Sequence, residues 1–410
     1  MAQDLWPQAI PCSQQAIPSS QRSPDHTAMD AVHVVAALIR VLATAPSSAA
    51  LLLEDHRLRG RSALGERDAS GEEKSHGASL TCPEKGRWEH VTCETLGWAR
   101  SSRPRRVFDG FCYNGESDIF WARRKELMSV VNGTAIVITT RNFKGEWRDV
   151  RRLVPEGVGE DLKSMVLPGE AFDQCNSTNG IHPACALSVA KNSVALAIEQ
   201  FKPDPDDWVI FGDPDEIPNR EFVRLLHECE VPVGPGHSKN VLHLSAMSHF
   251  LYDTKCKIVK SAWLGESNSK TPAVLKVRTM QMYGLRIHQA TGQHCVPKGP
   301  YARSCDWKGI APVYMPCAFW HLSSFGGLRR IQSKIRHNAD RATSVWSVDV
   351  SKCIEHNMER DLQSERLQSP ATTYPEVPHS MAENLERFRV FTDAMSDSEA
   401  PRLRGALVEH

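Results

Sequence analysis

From Arg106 onward the chain alternates between two apolar spacings. Val107-Phe108-Asp109-Gly110-Phe111 reads as a short strand, and a helical stretch follows from about Ser117 to Val130. Thr134–Thr140 (TAIVITT) is a continuous β-branched run suited to a strand covered on both faces. Across 183–200, Leu187, Ala190, Val194, Ala197 and Ile198 stand at offsets of 3, 7, 10 and 11, which is one face of a helix. Asp207-Trp208-Val209-Ile210-Phe211 is a second buried strand. Over Asn219–Glu230 the residues Phe222, Leu225, Leu226 and Cys229 again share a helical face. Alternating strand and helix predict an α/β domain with a mainly parallel sheet. After about Val345 the apolar pattern weakens among charges and prolines, so 346–410 reads as a C-terminal tail.

Ahead of Arg106 no period of either kind holds. Residues 1–30, rich in Gln, Ser and Pro, predict disorder. Residues 31–53 are the candidate signal anchor, but Arg40 sits mid-segment and Pro46-Ser47-Ser48 interrupts it, leaving no unbroken spanning length. An amphipathic or buried helix is the alternative there. Residues 54–105 mix charge, Gly and Ser as a stem or linker does. The expected organisation is a disordered and stem region over 1–105, a folded domain over 106–345 and a tail over 346–410.

Composition narrows the classes. The chain has 410 residues, 41% hydrophobic and 24% charged, which excludes a collagen, a low-complexity chain, a coiled-coil rod and a polytopic membrane protein. Lysine and arginine number 49 against 49 acidic residues, so the electrostatic footprint of a general nucleic-acid binder is missing. The twelve cysteines include no CxxC pair. Cys295, Cys305 and Cys317, with His294 and His321 nearby, fit no zinc spacing, so structural thiols or a few disulfides are the reading. Two sequons, at Asn132 and Asn176, lean towards a secretory compartment.

The chemistry concentrates in WVIFGDPDEIP, residues 208–218. An apolar strand runs into Asp213, Asp215 and Glu216 and stops at Pro218. Ligands of open α/β sheets sit at the carboxyl ends of strands. Carboxylates crowded there repel unless a cation or proton intervenes. Asp213 and Asp215 stand two apart, so in extended chain they share a side and can converge on one ion. Hard oxygen ligands suit Mn²⁺ or Mg²⁺, and such an ion commonly holds a diphosphate. A solvated acidic turn capping the next helix is the plainer alternative. No GxGxxG after a strand, no GxxxxGK[ST] and no GxSxG occurs, so metal-dependent transfer from a nucleotide-sugar is the reading that remains.

Five blocks then resemble glycosyltransferase family 17, known for the β-1,4-mannosyl-glycoprotein 4-β-N-acetylglucosaminyltransferases. VFDGFCYNGESDIFWARRKEL (107–127) is similar to that family's opening strand and NELDLLEIRL-like helix, with Glu116, Asp118, Arg123 and Leu127 in the matching places. VVNGTAIVITTRNFKG (130–145) resembles its VVDYFVIVE…TFTG segment, and Lys191-Asn192 resembles an Arg-Asn pair. DDWVIFGDPDEIP (206–218) resembles DDIVIISDVDEIP, and FWHLSSFGGLRRIQSKIRHNA (319–339) resembles GWHLS…I..K. Three departures stand out: Ile138 or Thr139 replaces the strand-ending Glu, Lys191 replaces Arg, and Phe319 replaces Gly.

The resemblance implies a GT-A-like nucleotide-sugar-binding domain over 106–345. It implies a UDP-sugar donor, specifically UDP-GlcNAc, and inversion at the anomeric carbon. The acceptor implied is a glycan or glycoprotein, such as the β-linked mannose of an N-glycan core, on the lumenal side of a Golgi membrane with possible single-pass anchorage. The metal set it implies is Asp215 with Asp213 and His321, Asp213 alternatively bonding the nucleotide ribose. Glu216 is the catalytic-base candidate or a carboxylate at a helix N-terminus, and Asp213 is the other catalytic candidate. Lys191 and Arg123 are cofactor-binding candidates, with a surface stem or an internal anion as the alternative. His321 could instead be a hydrogen-bonded core histidine, and Trp320 and Phe325 could stack on a sugar or fill the core. A non-catalytic carbohydrate-binding or scaffold protein and a metal-dependent phosphodiester hydrolase are the competing classes.

Overall fold

The computed structural model describes residues 82–83, 86–155, 160–178, 180–231, 241–260, 272–282, 313–326, 330–331, 347–349, 353–356 and 363–392. The chain divides into Met1–Ser75 and His76–His410, and everything described lies in the second unit. The candidate anchor at 31–53 is outside the described residues, among which no helix is long and apolar enough to cross a membrane.

Ten strands form one sheet: β1 (Val107–Cys112), β2 (Gly133–Thr139), β3 (Leu162–Leu167), β4 (Trp208–Phe211), β5 (Glu216–Pro218), β6 (Val241–Leu251), β7 (Cys256–Lys260), β8 (Ala273–Lys276), β9 (Val313–Ser323) and β10 (Gln363–Arg366). One half runs β3-β2-β1-β4 with every pairing parallel. Beyond β4 the order continues β8, β6, β7 and β10, all antiparallel. The other edge of β6 runs parallel to β9, which carries β5 antiparallel. The expected mainly parallel sheet is therefore corrected to a mixed one. A reason is visible at β6 and β7, joined by only Tyr252–Lys255, too short for the crossover that parallel neighbours need.

The periodic segments fold as their spacing demands. Helix α1 covers Ser117–Leu127, α2 Pro183–Glu199 and α3 Arg220–Glu228. Pro183 opens α2, where its missing N–H is no loss, and Asn219 caps α3 by accepting from the N–H groups of Glu221 and Phe222. The apolar stripe of α2, with Ala190, Val194 and Ile198, lies on Phe108, Val137 and Phe211. Gly110 permits that approach, since a Cβ there would stand 2.6 Å from Val194 Cγ1. On the opposite face Val107, Trp208 and Ile210 pack against Phe222, Leu225 and Leu226 of α3.

Both expected domain boundaries move outward. Trp88, Cys93 and Trp98 are buried in the α3-side cluster, with the Trp88 ring edge-on to Phe222 at 5.3 Å. Ala99–Arg100 pairs with Cys229–Glu230, and disulfides Cys93–Cys229 and Cys82–Cys317 tie the segment down. The folded domain thus begins well before Arg106; isolated aromatics and cysteines bury without showing a period. At the other end Ala371, Val377, Met381, Phe388 and Phe391 pack on Trp320 and Phe325, and β10 extends the sheet. Residues 363–392 therefore belong to the domain, and Trp320 and Phe325 fill its core. Cys175–Cys185 and Cys256–Cys353 complete the disulfides among the described residues. Cys317 is engaged with Cys82, which removes it from any zinc set; His294, Cys295 and Cys305 lie outside the described residues.

Trp88→Ala should lower the unfolding free energy by about 3–5 kcal/mol in a denaturant titration, the range for emptying a large aromatic core site. A residue in a loose stem would cost nothing measurable.

Candidate active site

The strand order β3-β2-β1-β4 reverses at β1: the chain moves outward through β2 and β3, then returns through α2 to lay β4 on the other side of β1. A crevice opens outside the carboxyl ends of the two strands at such a reversal. Tyr113 and Asn114 follow β1 there, and Gly212 and Asp213 follow β4.

A buried arginine shapes this end of the sheet. Arg123 of α1 donates from Nε and Nη2 to both carboxylate oxygens of Asp109, at 2.9 and 2.6 Å, in a pair shut off from solvent. Its Nη1 donates to the carbonyls of Asp213 and Glu216. Those carbonyls flank a turn that the Glu216 N–H closes onto Asp213 O at 3.0 Å. The guanidinium lies beneath the site, with its fork taken by protein oxygens, so its expected role in cofactor binding is corrected to that of a strut.

The turn also separates the two aspartates. The expected extended DxD does not form. Asp213 instead meets Lys191 of α2, Nζ to Oδ1 at 3.0 Å. Asp215 faces His321 of β9, Oδ1 to Nε2 at 3.9 Å, and its carbonyl accepts from the Leu322 N–H at 2.8 Å. Among the described residues no three His, Cys, Asp or Glu side chains are already gathered to hold a metal ion. Asp213 is the most open of the acidic side chains at 45% exposed, while Asp215 shows 12% and His321 27%. Burial works to lower the Lys191 pKa, but the Asp213 and Glu216 carboxylates outweigh it and raise it above the ordinary lysine range. Lys191 is thus a fixed positive charge whose internal anion is Asp213.

Glu216 is 2% exposed, and its Oε2 accepts the Asp213 N–H at 2.7 Å. Gly212 makes room for it, since a Cβ there would lie 2.7 Å from that same oxygen. Asn219, not Glu216, caps the following helix. Both expectations for Glu216 are therefore corrected: this carboxylate sits inside the turn and holds its shape, rather than meeting an acceptor hydroxyl or capping a helix.

β5 and β9 place His321 opposite Glu216, and β6 places His249 beside His321. The two imidazoles stack with centroids 4.2 Å apart, and both Nε2 atoms reach Ser323 Oγ, at 3.0 Å from His249 and 2.9 Å from His321. Arg330 reaches the β1 end from another segment, pairing with Glu116 at 2.7 Å and donating to Gly115 O at 3.1 Å; burial lowers its pKa to about 10. Cys112 is buried beneath, its thiol pushed up to about 12 by burial, which makes it a packing residue. The sequence reading missed Asp109, His249, Ser323 and Arg330. For Asp109 and His249 a signal existed, a charged or imidazole residue inside an otherwise apolar strand.

The enclosing fold and this strand-end cluster define an α/β enzyme that handles an anionic ligand at the reversal of its sheet. The chain belongs to glycosyltransferase family 17, whose sequence model matches residues 83–296, and so to the transferases. Among solved structures, a crystal structure of the glycosyltransferase GlyE from Streptococcus pneumoniae TIGR4 is 14% identical, over 52% of this chain and 45% of that one, with a TM-score of 0.25. The match thus spans under half the length of the GlyE chain. A crystal structure of an active-site mutant of LgtC is 11% identical, over 74% of this chain and 96% of that one, with a TM-score of 0.26. Both scores are low, and the family assignment rests on the sequence match. No curated protein matches the chain at a significant level.

Arg123→Leu should destabilise the fold by about 3–5 kcal/mol, because it strands Asp109 as an uncompensated buried charge. Adding Asp109→Leu should recover part of that loss in the same denaturant titration.

Proposed function

We propose that the protein is a metal-dependent, inverting glycosyltransferase with a GT-A-type site that moves GlcNAc from UDP-GlcNAc to a glycan acceptor such as the β-linked mannose of an N-glycan core. The observation that carries this is the charge balance at the strand ends. Asp109, Asp213, Asp215 and Glu216 are four carboxylates within the contacts described, against the two cations Arg123 and Lys191. With the carboxylates ionised and His321 neutral, the deficit equals the charge of one divalent ion. The separation of Asp215 from His321, 3.9 Å, is too long for a hydrogen bond and suits two ligands sharing an ion at about 2.0–2.2 Å each. Oxygen with imidazole nitrogen is a donor set that Mn²⁺ accepts. Such an ion keeps most of its coordination for substrate phosphates, so two protein ligands suffice.

Within this reading Asp215 and His321 hold the metal. A bound divalent ion supplies stabilisation of the negative charge that gathers on the leaving diphosphate. Asp213, the open carboxylate, faces the nucleotide, and Lys191 fixes its direction. Glu216 and Arg123 keep the turn closed, so the two aspartates aim at different parts of one ligand. A two-ligand set of this kind favours a diphosphate-bearing substrate over phosphodiester hydrolysis at a two-metal centre, which needs more protein ligands.

Asp215→Asn keeps the shape and removes the charge. It should lower the transfer rate at least about 10²-fold, equivalent to roughly 2.7 kcal/mol, with the melting temperature retained. UDP should raise that temperature only with Mn²⁺ present, and ligand at about 100 Kd should add roughly 2.7 kcal/mol. A shift with GDP instead would replace the donor, and no shift with UDP, GDP or CMP would favour a non-catalytic carbohydrate-binding protein.

The disulfides and the exposed Asn132 and Asn176 support residence in the oxidising secretory pathway, with a Golgi membrane as the proposed site. Enzymatic removal of N-glycans should shift the gel mobility of protein from its native host. Asn132→Gln with Asn176→Gln should abolish that shift.

A further inference from the structure

His249 lies outside every block that carries the family resemblance, yet it touches the residue on which the metal reading depends. It is 8% exposed on β6, stacked face to face on His321. Ser323 Oγ stands 3.0 Å from His249 Nε2 and 2.9 Å from His321 Nε2. A hydroxyl has one proton to give. Ser323 can donate to only one of these nitrogens, and the other must donate to Ser323 if both bonds exist. The arrangement therefore has two proton orders, and they leave His321 in opposite states. In one, His321 Nε2 carries a proton and cannot ligate. In the other, His249 Nε2–H donates to Ser323, Ser323 Oγ–H donates to His321 Nε2, and that nitrogen keeps its lone pair on the side of Asp215.

We propose that His249 and Ser323 are positioning residues that hold His321 in the second state, with its ring plane fixed by the stack and its Nε2 lone pair ready for a divalent cation. When the cation takes that lone pair, the Ser323 hydroxyl is released and Oγ continues to accept from His249. The pair thus presets the ligand and satisfies its own hydrogen bond afterwards. A ligating histidine whose ring orientation is set by outer partners binds metal more tightly, and loss of such partners typically costs about 10–100-fold in affinity. Here the partner acts on the ligating nitrogen of the free protein rather than on the opposite ring nitrogen. The proposal rests on His321 being a metal ligand.

Two measurements on the full chain without nucleotide test it. In long-range ¹H–¹⁵N spectra of metal-free protein labelled at histidine, His321 should show an unprotonated Nε2. His249→Ala and Ser323→Ala should each shift it towards mixed tautomers, and Ser323→Thr, which keeps the hydroxyl, should restore it. In Mn²⁺ titrations followed by electron paramagnetic resonance, His249→Ala and Ser323→Ala should weaken binding about 10–100-fold, with Ser323→Thr close to the parent. Thermal melts accompany each variant, and Ser323→Thr keeps the test usable if an alanine variant fails to fold. If His321→Ala abolishes Mn²⁺ binding while both alanine variants bind normally, the positioning role is overturned and the metal reading stands. If His321→Ala binds Mn²⁺ like the parent, the metal reading fails and takes the proposal with it.

Discussion

One guanidinium holds the catalytic end of this sheet together. Arg123 bonds the carboxylate of Asp109 on β1 and the carbonyls of Asp213 and Glu216 beyond β4, so a strand, a helix and the acidic turn share one buried cation. A buried ion pair is a poor source of net stability, because desolvation offsets most of the Coulomb gain. What it does supply is geometry. The fork of Arg fixes two directions at once: one towards Asp109, the other towards a turn that is too short to fix itself. Lys191 then needs a counter-charge on the other face of the turn, and Asp213 is the carboxylate left to meet it. Asp215 is left to face His321.

Much of the α/β half was legible in the sequence because its signals are periodic. The α2 stripe, the TAIVITT strand and the run into Asp213 are repeated apolar positions, and they fold at those residues within two positions at either end. The antiparallel half was not legible. Its strands depend on pairing with distant segments, β10 with β7 for example, and no local period announces a partner more than a hundred residues away. The same holds for Trp88 and Phe388, single aromatics in charged text that bury against helices and strands far along the chain. At the site, residue types were legible and their partners were not. DPDE announced carboxylates at a strand end, but its separation into Asp213 with Lys191 and Asp215 with His321 comes from a turn whose shape Arg123 sets.

The departures from the family pattern read differently against the geometry. Lysine at 191 loses a bidentate fork, yet its one partner oxygen, Asp213 Oδ1, asks only for a point charge. Where the family strand ends in Glu, Thr139 closes β2, buried at 1% with no hydrogen-bond partner for its hydroxyl among the described residues. A carboxylate there would add a further negative charge to an end of the sheet already short of cations. Its loss leaves the strand-end charge balanced by a single divalent ion.

The N-terminal segment that reads as a stem also decides where His321 stands. β6 and β9 begin in register with Leu244 opposite Met315, a separation of 71, and end with His249 opposite His321, a separation of 72. The irregularity falls around Pro316 and Cys317, between the first pairing and Phe319. Cys317 takes a positive φ of 55° there, is disulfide-bonded to Cys82, and its carbonyl accepts from Trp88 Nε1 at 2.7 Å. Aligned residues on neighbouring strands share a face of the sheet, and a one-residue slip moves each side chain to the other face. Without the extra residue, Trp320 would stand beside His249, and His321 would turn away from both Ser323 and Asp215. The bulge is strained backbone of the kind that persists only when its surroundings hold it, and what holds it is Cys82 and Trp88. The segment ahead of Arg106 is thus as much a part of the active site as the strand that carries the histidine.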